Sequence, residues 1–230
     1  MKGSIGIIGG MGPQASAYMY KTLIDLAISE FNAVNNDDFP EILLHSVPVP
    51  DFISSKEKRE IALTMLKKRV KTLNNMDLAY LSIACNTAHM LLNELQSVSI
   101  VPFISMIDAV VTVVVNDNIK KVGLLGTPST LRSKMYQKAF SQYGIKVITP
   151  DKKDFSNLEK IIRDVIIGML TKKNEKQLVY LANRLKKRGS QGIVLGCTEL
   201  PLVFPKNYSI PVYNSVEILS RTLLQKYYKL

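Results

Sequence analysis

The sequence predicts an α/β fold of two similar domains, each a parallel sheet flanked by helices, with the active site in the cleft between them. Three observations carry that expectation. Short apolar runs alternate with longer amphipathic stretches along the 230 residues, the βαβ pattern that builds parallel sheets. Runs such as Ile5-Gly6-Ile7-Ile8 and Ile193-Val194-Leu195 are continuous, without polar alternation, as strands covered on both faces require. The order of elements also repeats: Ile5-Gly6-Ile7-Ile8-Gly9-Gly10 recurs as Val122-Gly123-Leu124-Leu125-Gly126, with Pro13 and Pro128 soon after.

In order, the first half reads as strands over 4–9, 41–47, 78–84 and 102–105, with helices over 14–31, 56–73 and 88–96. After a helix over 107–115, the second half gives strands over 121–126, 145–149, 192–196 and 210–213. Its helices are expected over 130–143, 158–170, 176–187 and 216–228. The cysteine-bearing strands also match, Leu81-Ser82-Ile83-Ala84-Cys85-Asn86-Thr87 against Gly192-Ile193-Val194-Leu195-Gly196-Cys197-Thr198. This places one domain at 1–100, with 212–230 folding back onto it, and the other at 101–211, with a linker near 99–105.

At 47% hydrophobic the chain can bury two cores of roughly 100 residues each. It shows neither a secretory h-region after Met1 nor an apolar stretch of the ~20 residues that cross a bilayer, so a soluble, cytoplasmic protein with reduced thiols and no membrane partner is expected. The net charge of +11 raises nucleic acid as a partner. Yet Lys67-Lys68-Arg69, Lys120-Lys121, Lys152-Lys153, Lys172-Lys173 and Lys186-Lys187-Arg188 are scattered, no aromatics interleave with them and there is no Trp. Without stacking platforms these read as solvated helix faces, so no nucleic acid is expected.

The only two cysteines are Cys85 in Ala84-Cys85-Asn86-Thr87-Ala88-His89 and Cys197 in Gly196-Cys197-Thr198-Glu199-Leu200. Each ends an apolar run and is followed by amide or hydroxyl residues, although a cysteine that only fills a core needs no such company. Ligands of open parallel sheets bind beyond the carboxyl ends of the strands. There, near helix N-termini, a thiolate is favoured. Two thiols facing one carbon could remove a proton from one side and return one to the other. Asn86, Thr87, Thr198 and backbone amides would hold an α-carboxylate and the developing charge. An amino acid fits as the small-molecule substrate.

Gly9-Gly10-Met11-Gly12-Pro13, Cys85-Asn86-Thr87-Ala88-His89 and Gly196-Cys197-Thr198-Glu199 together resemble the three signatures of the aspartate/glutamate racemase family, and most closely its aspartate racemase branch. The resemblance spans the chain. It implies an amino-acid racemase without cofactor or metal, a homodimer, with Cys85 and Cys197 as the acid/base pair and aspartate as the first substrate to consider. It further implies that Met11 and Gln14 belong to the first-strand loop, that Asn86, Thr87, Thr127, Thr130 and Thr198 hold the substrate's carboxylate or amino group, and that Cys85 acts on the D form. Aspartate-specific relatives tend to have an Arg after the Pro-Asp that follows the second strand and a Lys on the long helix of the second domain. This chain has Phe52 and, by alignment, Ile167 there. Either Lys56, Lys58, Arg59 or Arg163 substitutes, or the substrate is another amino acid, since an unpaired buried carboxylate is costly.

Other motifs point elsewhere more weakly. Gly10-Met11-Gly12-Pro13-Gln14-Ala15 fits a dinucleotide fingerprint, but Pro13 removes an amide and no acidic residue ends the second strand. Cys85 and His89 stand four apart, yet zinc needs three or four ligands and His45 is the only other histidine. His89 therefore reads as a packed or hydrogen-bonding helix residue. There is no G-x-S-x-G elbow. A Cys85–His89 nucleophilic pair, a related isomerase or decarboxylase, and a metabolite-binding protein remain open alternatives.

Overall fold

The structure, a computed structural model, describes residues 3–51 and 56–229. The chain divides into two compact units, Met1–Met106 with Val216–Leu230, and Ile107–Ser215.

In the first unit β1 (Ser4–Gly9) is flanked by β2 (Ile42–Ser46) and β3 (Leu78–Ile83), all parallel, in the order β2-β1-β3. Parallel neighbours need crossovers, supplied by α1 (Pro13–Phe31) and α2 (Lys56–Leu73). The two-residue period of β1 divides its side chains between two cores. Ile5 and Ile7 pack with Met19 and Leu23 of α1 and with Val216, Leu219 and Leu223 of α9 (Ser215–Lys229). Ile8 packs on the other face with Ala62, Leu66 and Val70 of α2 and with Leu91 and Leu95. Both faces are covered, which is why the run has no polar alternation.

The second unit has a four-stranded sheet in the order β5-β4-β6-β7, from β4 (Lys121–Gly126), β5 (Lys146–Ile148), β6 (Gly192–Gly196) and β7 (Val212–Asn214). All its pairings are parallel too. It is flanked by α4 (Met106–Asn116), α5 (Pro128–Ser133), α6 (Met135–Ser141), α7 (Phe155–Ile166) and α8 (Lys172–Lys187). Leu158, Ile161, Ile162 and Val165 of α7 are buried, as are Leu178, Leu181, Ala182 and Leu185 of α8, one helical face each. Lys172, Lys173, Lys176, Lys186 and Lys187 line the exposed side of α8.

The predicted α/β class with two parallel sheets therefore holds, while several elements differ. The helix expected over 130–143 is two, because Lys134 adopts a left-handed conformation with φ 57°. The stretch over 88–96 is a 3₁₀ segment, Thr87–Leu91, before the short α3 (Leu92–Gln96). The helix expected to run to 170 stops at Ile166, with Gly168 at φ 81°. The expected strand over 102–105 is an isolated parallel bridge, Leu81 to Phe103. Leu81 N–H donates to Pro102 O at 3.0 Å and Ile104 N–H to Leu81 O at 2.7 Å, which docks the segment on β3. The chain then leaves the first unit after Met106. No helix among the described residues is long and apolar enough to cross a membrane.

Candidate active site

Each sheet presents a thiol just beyond the carboxyl end of a strand adjacent to its glycine-ended strand. In the first unit Ile8 pairs with Ile83, and Ala84 N–H donates to Ile8 O at 2.9 Å. That register sets Cys85 beside the loop that begins at Gly9. Gly10 turns this loop at φ 89°, where a Cβ would stand 2.6 Å from the Val47 backbone, so only glycine fits. The loop is held by Ser16, whose hydroxyl accepts from Gly10 N–H at 2.8 Å and donates to Gly12 O at 3.1 Å. Met11 and Cys85 pack in the same cluster with Val47 and Ala88. Cys85, Asn86 and Thr87 are buried, whereas Gln14 is exposed on the first turn of α1. Burial of an amide and a hydroxyl beside a thiol departs from ordinary core composition.

The second unit repeats the arrangement. Gly126 of β4 pairs with Gly196 of β6, and a Cβ on Gly126 would lie 2.8 Å from the Gly196 carbonyl. That closeness sets the loop at Thr127 next to Cys197-Thr198. Thr127 caps α5: its hydroxyl accepts from Thr130 N–H and donates to the Thr130 hydroxyl, both at 3.0 Å. Thr127, Thr130, Cys197 and Thr198 are all buried. Both cysteines are thiols rather than a disulfide.

Three further groups lie beside these motifs, among them Glu199, which the sequence leaves evenly between assisting the second thiol and capping its helix. Glu199, 3% exposed, accepts on Oε2 from the Cys197 thiol at 2.9 Å and from the Thr198 hydroxyl at 3.1 Å. Its adjacency to Cys197 was the available signal. Tyr136 of α6 lies fully buried, its ring edge 3.2 Å from where a Cβ on Gly196 would stand. Burial first, and then Cys197, push its phenol above the ordinary tyrosine value. Nothing in the spacing of an amphipathic helix singles it out. His89 is buried, with one ring nitrogen on the Cys85 carbonyl and the other on the amide of Met106. The hydrogen-bonding role expected of it is what the geometry shows.

Of the residues bearing on substrate, Phe52 lies outside the described residues, and the side chain of Lys56 is not described. Ile167 caps the C-terminal end of α7 and is 70% exposed. Arg59 pairs with Glu94 at 3.0 Å and Glu60 at 2.9 Å, and Arg163 with Glu159 at 2.8 Å. Lys58 is exposed on α2. Among the described residues no three of His, Cys, Asp and Glu converge as ligands of a metal ion would.

Residues 8–223 match the model of the Asp/Glu/Hydantoin racemase family. The broad specificity amino-acid racemase RacX of Bacillus subtilis is 26% identical over 228 residues, 97% of each chain. An aspartate racemase homologue from Pyrococcus horikoshii superimposes with TM-score 0.82 and 31% identity, covering 99% of this chain and 100% of that one. The Picrophilus torridus aspartate racemase gives TM-score 0.83 and 28% identity over 97% and 94% of the two chains. With duplicated sheets, a buried thiol at each and a family match over nearly its whole length, the chain belongs to the Asp/Glu/Hydantoin racemase family.

Proposed function

We propose that the protein is a cofactor-independent amino-acid racemase in which Cys85 and Cys197 are the acid/base pair at one substrate Cα. The observation that carries this reading is the repeated thiol: each sheet ends in a buried cysteine accompanied by buried hydroxyl and amide groups. One thiolate takes the Cα proton, the C–H electron pair passes onto Cα and its carboxylate, and the other thiol delivers its proton to the opposite face. The electron pair then forms the new C–H bond, and the two sulfurs have exchanged protonation states. Placed acid and base groups of this kind contribute about 10²–10⁴-fold each.

Glu199 gives Cys197 a route to its thiolate. The pair shares one proton, and moving it from sulfur to Oε2 creates the base. Asn86, Thr87, Thr127, Thr130 and Thr198 bind the α-carboxylate and amino group, with Met11 walling the first loop and Gln14 at its mouth. Buried neutral donors suit a charge that grows during the reaction. The likeness to the family also leads us to propose a homodimer.

For the substrate, Arg59 and Arg163 are each engaged by glutamates, and Ile167 is apolar. This favours an amino acid whose side chain needs no cationic partner, in keeping with the broad specificity named for the Bacillus relative. Aspartate, named for the Picrophilus relative, is the second reading. Racemisation of aspartate, glutamate, basic and neutral amino acids, assayed side by side with Cys85→Ser and Cys197→Ser, tests both. We expect neutral or basic substrates to exceed aspartate, and each variant to lose at least ~10²-fold with its circular dichroism intact. Near wild-type racemisation by either variant overturns the two-thiol reading.

A further inference from the structure

His89 is the one ionisable side chain of the first cysteine motif that the proposed reaction leaves unused. The residue is buried, 7% exposed. Nδ1 lies 2.8 Å from the backbone carbonyl of Cys85, and Nε2 lies 2.9 Å from the amide nitrogen of Met106. A carbonyl can only accept and an amide N–H can only donate. The ring is therefore neutral, with its proton on Nδ1 and a lone pair on Nε2. Two backbone partners of opposite polarity at opposite ends of the ring permit no other tautomer.

The partners differ in what they hold. Cys85 carries the first thiol, just past β3. Met106 is the first residue of α4, the helix along which the chain passes into the second unit. An amide at a helix start has no partner within its own helix, so the imidazole also caps α4. The 101–106 segment is further docked on β3 by Ser82, whose hydroxyl donates to Ile104 O at 2.8 Å. We propose that His89 is a positioning residue for the Cys85 thiol: a neutral imidazole strut that fixes the cysteine's backbone against the start of α4. This rests on the two-thiol reading of the site.

The two ends of the strut can be cut separately. The carboxamide of Asn reaches the place of Nδ1 and that of Gln the place of Nε2. His89→Asn thus keeps a donor for Cys85 O and drops Met106, while His89→Gln does the reverse. Racemisation slows equally in both directions because its two enantiomers are equal in energy, so proton loss is followed instead as the irreversible elimination of HCl from D- and L-β-chloroalanine, which needs one base for each enantiomer. His89→Gln is expected to slow proton loss from the enantiomer served by Cys85 at least about tenfold more than from its mirror image, since small misplacements of a reacting group are costly in rate. His89→Asn is expected to recover most of that difference. In the wild type, ¹⁵N-imidazole spectra, assigned by the signal missing from the variants, are expected to show Nδ1 protonated and Nε2 bare.

Equal slowing of both enantiomers by His89→Gln, or an ¹⁵N spectrum with Nε2 protonated, overturns the strut. Should the variants not fold, a His45→Gln variant leaves the His89 ring as the only imidazole and assigns the spectrum, and Nε2 protonation there overturns the strut. Failure of the racemase reading looks different, because the wild type would then racemise no amino acid of either hand.

Discussion

At the residue scale, two thiols at equivalent positions of a repeat have unlike surroundings. Cys197 donates directly to a carboxylate, while the nearest ionisable residue of its own motif grips Cys85 through the backbone. The motifs alone offered no such asymmetry, because a Glu two residues on and a His four residues on read alike as neighbours in sequence. The hydrogen bonds separate them. Glu199→Gln keeps the shape and a hydrogen-bonding partner for sulfur but removes the proton acceptor. Steady-state kinetics should show kcat reduced about 10²-fold with KM changed only a few-fold; an unchanged kcat would reduce Glu199 to a turn residue. Cys85 and Cys197 with Asn86, Thr87 and Thr198 stood out in the sequence because polar residues follow a thiol at the end of an apolar run, whereas Thr127 and Thr130 came only with the family resemblance. Tyr136 was not, since its place beneath Cys197 depends on how α6 packs.

At the element scale, strands were legible and short helices were not. A buried parallel strand is written in four or five consecutive apolar residues, so β1, β4 and β6 stood out. The break at Lys134 carries no glycine or proline to announce it. Thr127 illustrates an element held by one side chain, and Thr127→Ala should destabilise the protein by about 1 kcal/mol in urea unfolding, the usual worth of an N-cap. A second test concerns α9 on α1. Arg221 holds Glu30 through three contacts of 2.8 to 3.1 Å and also pairs with Glu217. Its hydrogen bonds, opposed by burial, keep the Glu30 carboxyl below the ordinary value. A lowered native-state value means the contribution is present above the unfolded-state pKa and is lost as pH falls through the native one. Both side chains are about a third exposed, so Arg221→Ala should cost under about 1 kcal/mol at pH 7. The gap from wild type should close below about pH 4, as carboxylates protonate. A gap that stays constant across that range would point to lost packing instead.

At the scale of the whole molecule, the duplication is visible in the sequence, and the C-terminal helix belongs to the first unit. Val216, Leu219, Leu223 and Leu224 are fully buried against the sheet of the first unit, though they follow the second in the chain. Leu223→Ala should therefore cost about 2–5 kcal/mol, the range of a buried leucine. Hydrogen exchange should show the loss first in β1–β3, with β4 and β6 still protected; loss in the second sheet alone would contradict this placement. The crossing point was harder to read, because the apolar 101–106 segment docks on β3 by backbone bonds that any sequence could make.

In the proposed reaction two groups, one from each half, exchange protons with opposite faces of one carbon. Racemisation in D₂O, stopped within the first few per cent of conversion, tests it most directly. Product is expected to carry deuterium at Cα while the remaining substrate keeps its protium. Early product that retains the substrate's own protium would mean a single base returning one proton to both faces, and would contradict it.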